Sequence, residues 1–274
     1  MDFSWIIPDI PEELRPAALT ATTTLIGAFI GACVAQFFSH RLTLKRERKH
    51  NQRVIYNELY APILTEIYLY YDYVTAFRKD LFTKEVNVDK MMNEICNHIG
   101  KNLKYASPRI INAYNTLARF DYMEDLSGVG RKCSKYELIV EVLNELIKIA
   151  PYDKKNIKEI SKYRTCYYLL QISGFIFYEY EKAELFLSYD FYFKRNKLYN
   201  DRTYKRLKLY YDINYPSNWA KKIIKKLFRL RYDSFEDYFF SILIPKEHRS
   251  TMKYTIQFIK GDIQDEGKAL PGYN

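Results

Sequence analysis

Histidine is scarce in this chain, with four in 274 residues, so acid–base or metal chemistry has few positions to occupy. His40 and His50 sit in a cationic stretch. His98 follows Glu94 by one helical turn, which would set a carboxylate and an imidazole on one face in the manner of a metal-ligand pair. No third ligand stands at a matching spacing, and a surface or core role for His98 is the stronger reading. Gly128-Val129-Gly130-Arg131-Lys132 has the glycines and cations of a phosphate-cradling loop. It lacks the G-x-x-x-x-G-K-S/T spacing and a preceding strand, and therefore reads as a turn. Cys33, Cys96, Cys133 and Cys166 form no C-x-x-C pair and read as separate, reduced, buried thiols. No Arg-to-His spacing of the ribonuclease kind is present. A Ser, Cys and His triad assembled from distant positions stays open, because its members need not be adjacent. The expectation is a non-enzymatic chain with no catalytic residue, no metal site and no cofactor.

Charge gives a sharper signal. The formal net charge is +10. Between Phe191 and Arg231, thirteen Lys and Arg face only Asp201 and Asp212, so this window carries +11 and the rest of the chain −1. Within it stand Lys194, Arg195, Lys197, Arg202, Lys205, Arg206 and Lys208, followed by SNWAKKIIKKLFRLR from Ser217 to Arg231. There Trp219, Ile223, Ile224, Leu227 and Leu230 share one helical face, with Lys221, Lys222, Lys225, Lys226, Arg229 and Arg231 around it. Such a helix can lie on an anionic membrane surface. It can equally track nucleic-acid phosphates, with Tyr204, Tyr210 and Tyr211 as stacking surfaces. The plain structural reading is an apolar face packed on the core beneath solvated lysines.

The elements that position these residues begin with an uncharged run. No Asp, Glu, Lys or Arg occurs from Pro16 to Ser39, and Ala17 to Phe38 is long enough to cross a hydrocarbon layer of about 30 Å at roughly 1.5 Å per residue. Thr20, Thr22, Thr23, Thr24 and Gln36 dilute its hydrophobicity, which leaves a buried helix of a soluble protein as the competing reading. Residues before the run sum to −3, and His40 to Arg53 sum to +5. Because Lys and Arg resist translocation, the N-terminus is expected outside a bacterial-type inner membrane and the remainder in the cytoplasm. Phe3 and Trp5 suit the outer interface. The acidic start argues against a cleaved signal peptide. Ile30-Gly31-Ala32-Cys33 resembles a lipoprotein cleavage box, but the apolar run continues past it. Thr23, Gly27, Gly31 and Ala35 form a small-residue ridge, including a G-x-x-x-G pair, along which two anchors can approach closely.

Beyond the run, the expected organisation is a basic neck over residues 39–53, a helical domain over 54–260 and a tail over 261–274, with 1–16 outside the membrane. Ile55, Leu59, Ile63, Ile67, Tyr70, Val74 and Phe77 recur at steps of three and four, so an amphipathic helix runs to about Phe82, bent at Pro62. A helix over Val88 to Lys101 follows the cap residue Asn87; another opens at Ser107-Pro108 and extends to about Tyr122. Tyr136 to Ile149 is helical by spacing and is stopped by Pro151. Asn156 to about Arg195 holds one or two aromatic helices, and shorter basic helices follow to Phe258. No run alternates as a strand would, so the fold class is mainly α, with one N-terminal transmembrane helix and a multi-helix domain. The 27 Tyr and 17 Phe, together with abundant Lys, Ile and Asn, match the residue usage of an AT-rich genome.

The neck HRLTLKRERKH and the step Asn57-Glu58-Leu59-Tyr60-Ala61-Pro62-Ile63-Leu64 resemble a pattern in single-pass anchored helical proteins of bacterial and prophage genomes, over about Ser39 to Leu64. Some of those belong to antiviral systems in which an anchored effector disrupts the membrane. The resemblance implies such an effector role and carries over no catalytic residue. Three functions follow as expectations: an anchored interaction or effector protein that self-associates and meets a cytoplasmic protein partner; a membrane-tethered nucleic-acid-binding module; and an anchored enzyme of unrecognised type.

Overall fold

The computed structural model describes residues 11–83, 87–149, 154–194, 200–214 and 235–261. They form ten α-helices: α1 Arg15–Ile55, α2 Ala61–Val74, α3 Val88–Lys101, α4 Pro108–Arg119, α5 Gly130–Ile149, α6 Lys154–Phe177, α7 Tyr180–Ser188, α8 Asp201–Asn214, α9 Phe235–Leu243 and α10 Arg249–Lys260. No strand occurs among the described residues. The chain divides into two units, Met1–Val54 and Ile55–Asn274.

In the first unit, α1 carries no buried residue. Its threonines are less polar in place than in composition. Thr20 Oγ1 donates to the Pro16 carbonyl at 2.8 Å, Thr22 to Ala18 at 2.5 Å, Thr23 to Leu19 at 2.7 Å and Thr24 to Thr20 at 2.7 Å. Hydroxyls satisfied inside the helix need no water, which removes most of the cost of placing them in lipid.

The second unit is built around α5 and α6. α5 packs on α4 and α6, and α6 also meets α2, α7 and α8. Tyr136, Leu138, Ile139, Leu143 and Leu146 of α5 and Cys166, Tyr167, Leu169 and Leu170 of α6 are fully enclosed; each buried Leu or Ile contributes about 1.5–3 kcal/mol. Four core tyrosines pair their hydroxyls across helices, while the buried Tyr60 hydroxyl has no partner among the described residues. Tyr167 donates to the Ile67 carbonyl at 2.6 Å, Tyr163 to Asp72 Oδ2 at 2.8 Å, and Tyr70 and Tyr136 share a bond of 3.1 Å. Gly174 is required where α6 meets the start of α7, since a Cβ there would lie 2.2 Å from Tyr180 Cε1.

Local chemistry sets the boundaries. Asn87 Oδ1 accepts the Lys90 amide at 2.9 Å and opens α3 at Val88, as the sequence predicts. The amphipathic helix expected to reach Phe82 ends at Val74, where Thr75 Oγ1 turns back on the Tyr71 carbonyl at 2.8 Å. Pro62 sits in the first turn of α2 behind a π turn over Tyr56–Tyr60, where Ala61 N–H bonds the Tyr56 carbonyl. Pro62 has no N–H for the Glu58 carbonyl, and His98 Nε2 supplies that bond at 3.1 Å. α4 ends at Arg119 rather than near Tyr122. α5 starts at Gly130, ahead of the expected Tyr136, because Ser127 Oγ takes the Gly130 amide at 2.9 Å and Asp125 Oδ2 the Arg131 amide at 2.8 Å. The aromatic region is two helices, broken at Tyr178, which has a left-handed φ of 54°.

Candidate functional site

The long apolar helix α1 is the first candidate. α1 contains the stretch, alone among the described residues, that is long and apolar enough to cross a membrane. Thr23, Gly27, Gly31 and Ala35 follow one another at four-residue steps along it, all exposed. A Cβ added at Gly27 or Gly31 would meet nothing within 4 Å. On the opposite side stand Leu25, Phe29 and Cys33, with Leu25 70% and Phe29 71% exposed. The helix thus has a thin face on which a second backbone can lie and a bulky face suited to lipid tails. Cys33 corrects the expectation of four buried thiols: it is exposed, while Cys96, Cys133 and Cys166 are buried. Burial pushes Cys96 up to about 11 and Cys166 up to about 12, so neither is a ready thiolate.

The basic window is the second candidate. Trp219, Lys221, Lys222, Lys225, Lys226, Arg229 and Arg231 lie outside the described residues, as do the side chains of Tyr210 and Tyr211. Arg202, Lys205 and Arg206 occupy the exposed side of α8, with Lys208 half-buried and Lys205 Nζ 2.7 Å from Asp201 Oδ2. Tyr204 corrects the stacking proposal. It is buried against Tyr168, beneath the Arg164 guanidinium at 4.0 Å, and its hydroxyl accepts from Asn144 Nδ2 at 3.1 Å. Buried Arg164 also donates to Asp201 Oδ1 at 2.6 Å. The inner face of α8 is therefore committed to the core.

Sequence reasoning missed the third candidate, a cleft of about 680 Å³ over the floor of the helical domain. α2 supplies Tyr70, Tyr73 and Val74; the segment after it supplies Phe77 and Lys79; α3 opens onto it with Val88 and Asp89. Lys132 reaches in from the first turn of α5, and α7 contributes Glu181, Glu184, Leu185 and Ser188, with Tyr189 beyond. Tyr70, Tyr136 and Glu184 form a hydroxyl chain: Tyr136 Oη donates to Glu184 Oε1 across a long 3.4 Å and receives from Tyr70 at 3.1 Å. Lys132 Nζ stands 3.7 Å from Glu184 Oε1. Burial raises the Glu184 carboxyl above its ordinary value, opposed by Lys132, the Tyr136 bond and Lys79.

A cation at the amino end of a helix opposes the helix dipole. Arg131 and Lys132 both take that position in α5. Each is answered by a carboxylate from elsewhere, Asp121 for Arg131 at 2.6 Å and Glu184 for Lys132. The Gly128-to-Lys132 run is thus a capped helix start, and the unfavourable placement of Lys132 is the sequence signal that could have located the cleft.

Comparison with protein families, characterised proteins and solved structures gave no match. The geometry alone carries the reading. Three or more His, Cys, Asp or Glu never gather as metal ligands among the described residues. Glu94 pairs weakly with Lys90 at 3.9 Å while His98 serves the Glu58 carbonyl, so the two do not converge.

Proposed function

We propose that this chain is a single-pass protein of a bacterial-type inner membrane that works by association rather than catalysis. Its anchor, Ala17 to Phe38, pairs with a second copy through Thr23, Gly27, Gly31 and Ala35, and its helical domain meets a protein partner in the cytoplasm. One observation carries this reading: α1 is uncharged from Pro16 to Ser39, has no buried residue, and satisfies its threonine hydroxyls internally. A helix of that kind has no stable place in water and a ready one in lipid. The cationic flank from Arg41 to Arg53 supports the inward-facing domain, and the thin face supports the pairing.

The test joins topology to association. Reporters fused at each end should show the C-terminus in the cytoplasm, and the chain should stay with membranes through alkaline extraction. Disulfide crosslinking on the native membrane through Ala35→Cys, on the ridge, with Cys33→Ser on the opposite face, should trap a dimer that Gly27→Leu with Gly31→Leu disperses. Release by alkali would defeat the anchor, and a dimer unchanged in the double variant would defeat the ridge. In the effector form of the same reading, expression depolarises the membrane and an unrelated anchor in place of Ala17 to Phe38 abolishes the effect; persistence would leave the span a tether.

A further inference from the structure

We propose that the cleft between α2, α3, α5 and α7 binds a linear organic polyamine, a role independent of the anchor. Its charged lining is Asp89, Glu181 and Glu184 against Lys79 and Lys132, a net charge of −1 in a chain of net +10. Asp89 and Glu181 are exposed at the rim and hold no ion-pair partner among the described residues. Glu184 lies deeper, its side chain 18% exposed, and its cation contact is Lys132, which is itself 39% exposed and set 3.7 Å away. That loose pair at an unfavourable helix end is the kind a better-placed ammonium displaces. Tyr70, Tyr73, Phe77 and Tyr189 complete the walls, and aromatic rings attract cations across their faces. Two resident ammonium groups already stand near rings, Lys79 Nζ at 5.9 Å from the Tyr73 centroid and Lys132 Nζ at 5.9 Å from that of Tyr180. Carboxylates at the floor and on the rim, separated by aromatic and aliphatic walls, match a chain of ammonium groups separated by methylenes.

The experiment is calorimetric titration of the full chain in detergent with spermidine and, separately, with pyrophosphate. Spermidine should saturate one site, more weakly at high salt. Glu184→Gln should weaken it about tenfold or more, the scale of one lost charge-assisted contact. Lys132→Met should tighten it, because the internal competitor is gone. Should Glu184→Gln fail to fold, Asp89→Asn with Glu181→Gln on the exposed rim replaces it and should still weaken spermidine several-fold, by about the worth of two exposed charge contacts. Absence of saturable spermidine binding overturns the proposal. So does pyrophosphate binding that Lys132→Met abolishes, which would make the cleft an anion site.

Discussion

Alanine at position 174 should destabilise the domain in the native background and stabilise it once Tyr180 is cut back to alanine. A Cβ on Gly174 would fall 2.2 Å from Tyr180 Cε1 and 2.5 Å from Cζ. The ring has little room to yield, being 3% exposed and packed edge-on against Tyr136 at 5.0 Å. Overpacking of this kind costs about 1–3 kcal/mol. Against it stands the gain of replacing a glycine in the last turn of α6 by alanine, at most about 1 kcal/mol. The net loss of up to about 2 kcal/mol should lower Tm by up to about 8 °C in a domain of this size. In the Tyr180→Ala background the obstruction is gone and the helix gain stands alone, so Gly174→Ala should raise Tm by about 2–4 °C over Tyr180→Ala. Thermal unfolding of the full chain in detergent, followed by near-ultraviolet dichroism of the tyrosines, reads both steps. A rise in the native background, or an equal fall in both, would refute the close approach of α6 to Tyr180.

Asp201 gives a pH signature. Burial works against its carboxylate, but hydrogen bonds from Lys205 and Arg164, with their charges, hold it below its ordinary 3.8. A folded value under the unfolded one means the contribution is complete above about pH 5 and is lost as pH falls through 4 and below; Asp201→Asn should flatten that acid limb and cost about 1–3 kcal/mol at pH 7, with exposure of Asp201 keeping it below the full cost of stranding a buried Arg164. Tyr178→Gly relieves the left-handed φ of 54° and should raise stability by about 0.5–1 kcal/mol in urea unfolding, since glycine adopts that region without strain. Asn87→Ala removes the cap of α3 and should lower stability by about 1 kcal/mol in the same assay.

Where one residue type settles a local question, the sequence was readable. Asn87 opened α3 at Val88, and the steps of three and four in Ile63, Ile67, Tyr70 and Val74 marked the buried face of α2. The uncharged run from Pro16 identified the apolar helix. Long-range pairing was hidden. Nothing in the spacing joins Arg164 to Asp201 or turns Tyr204 inward, because both depend on how α6 and α8 pack. Pro62 was legible as a break in the hydrogen-bond ladder, but the π turn before it and the imidazole that His98 lends from α3 were not, because both depend on how α2 and α3 pack. The cleft was invisible for the same reason: Glu184, Lys132, Tyr70 and Asp89 come from four helices and share no local pattern. The start of α5 was legible in principle, since Asp125 and Ser127 are cap residues, but glycines at 128 and 130 masked it as a loop.

The threonines of α1 have a mechanical consequence. Within the apolar run, the four whose hydroxyls fold back onto the preceding turn, Thr20, Thr22, Thr23 and Thr24, lie in the N-terminal third, and none lies between Leu25 and Phe38; a fifth, Thr43, bonds the Ser39 carbonyl beyond the run. A carbonyl shared between an amide and a hydroxyl holds its own ladder bond less firmly, and helices bend most readily at such places. The apolar run is therefore a beam of two stiffnesses, compliant over Pro16 to Thr24 and stiffer from Leu25 to Phe38. If the helix crosses a bilayer as proposed, a change in bilayer thickness would collect strain in the compliant end, and the stretch from Leu25 to Phe38 would keep its pitch.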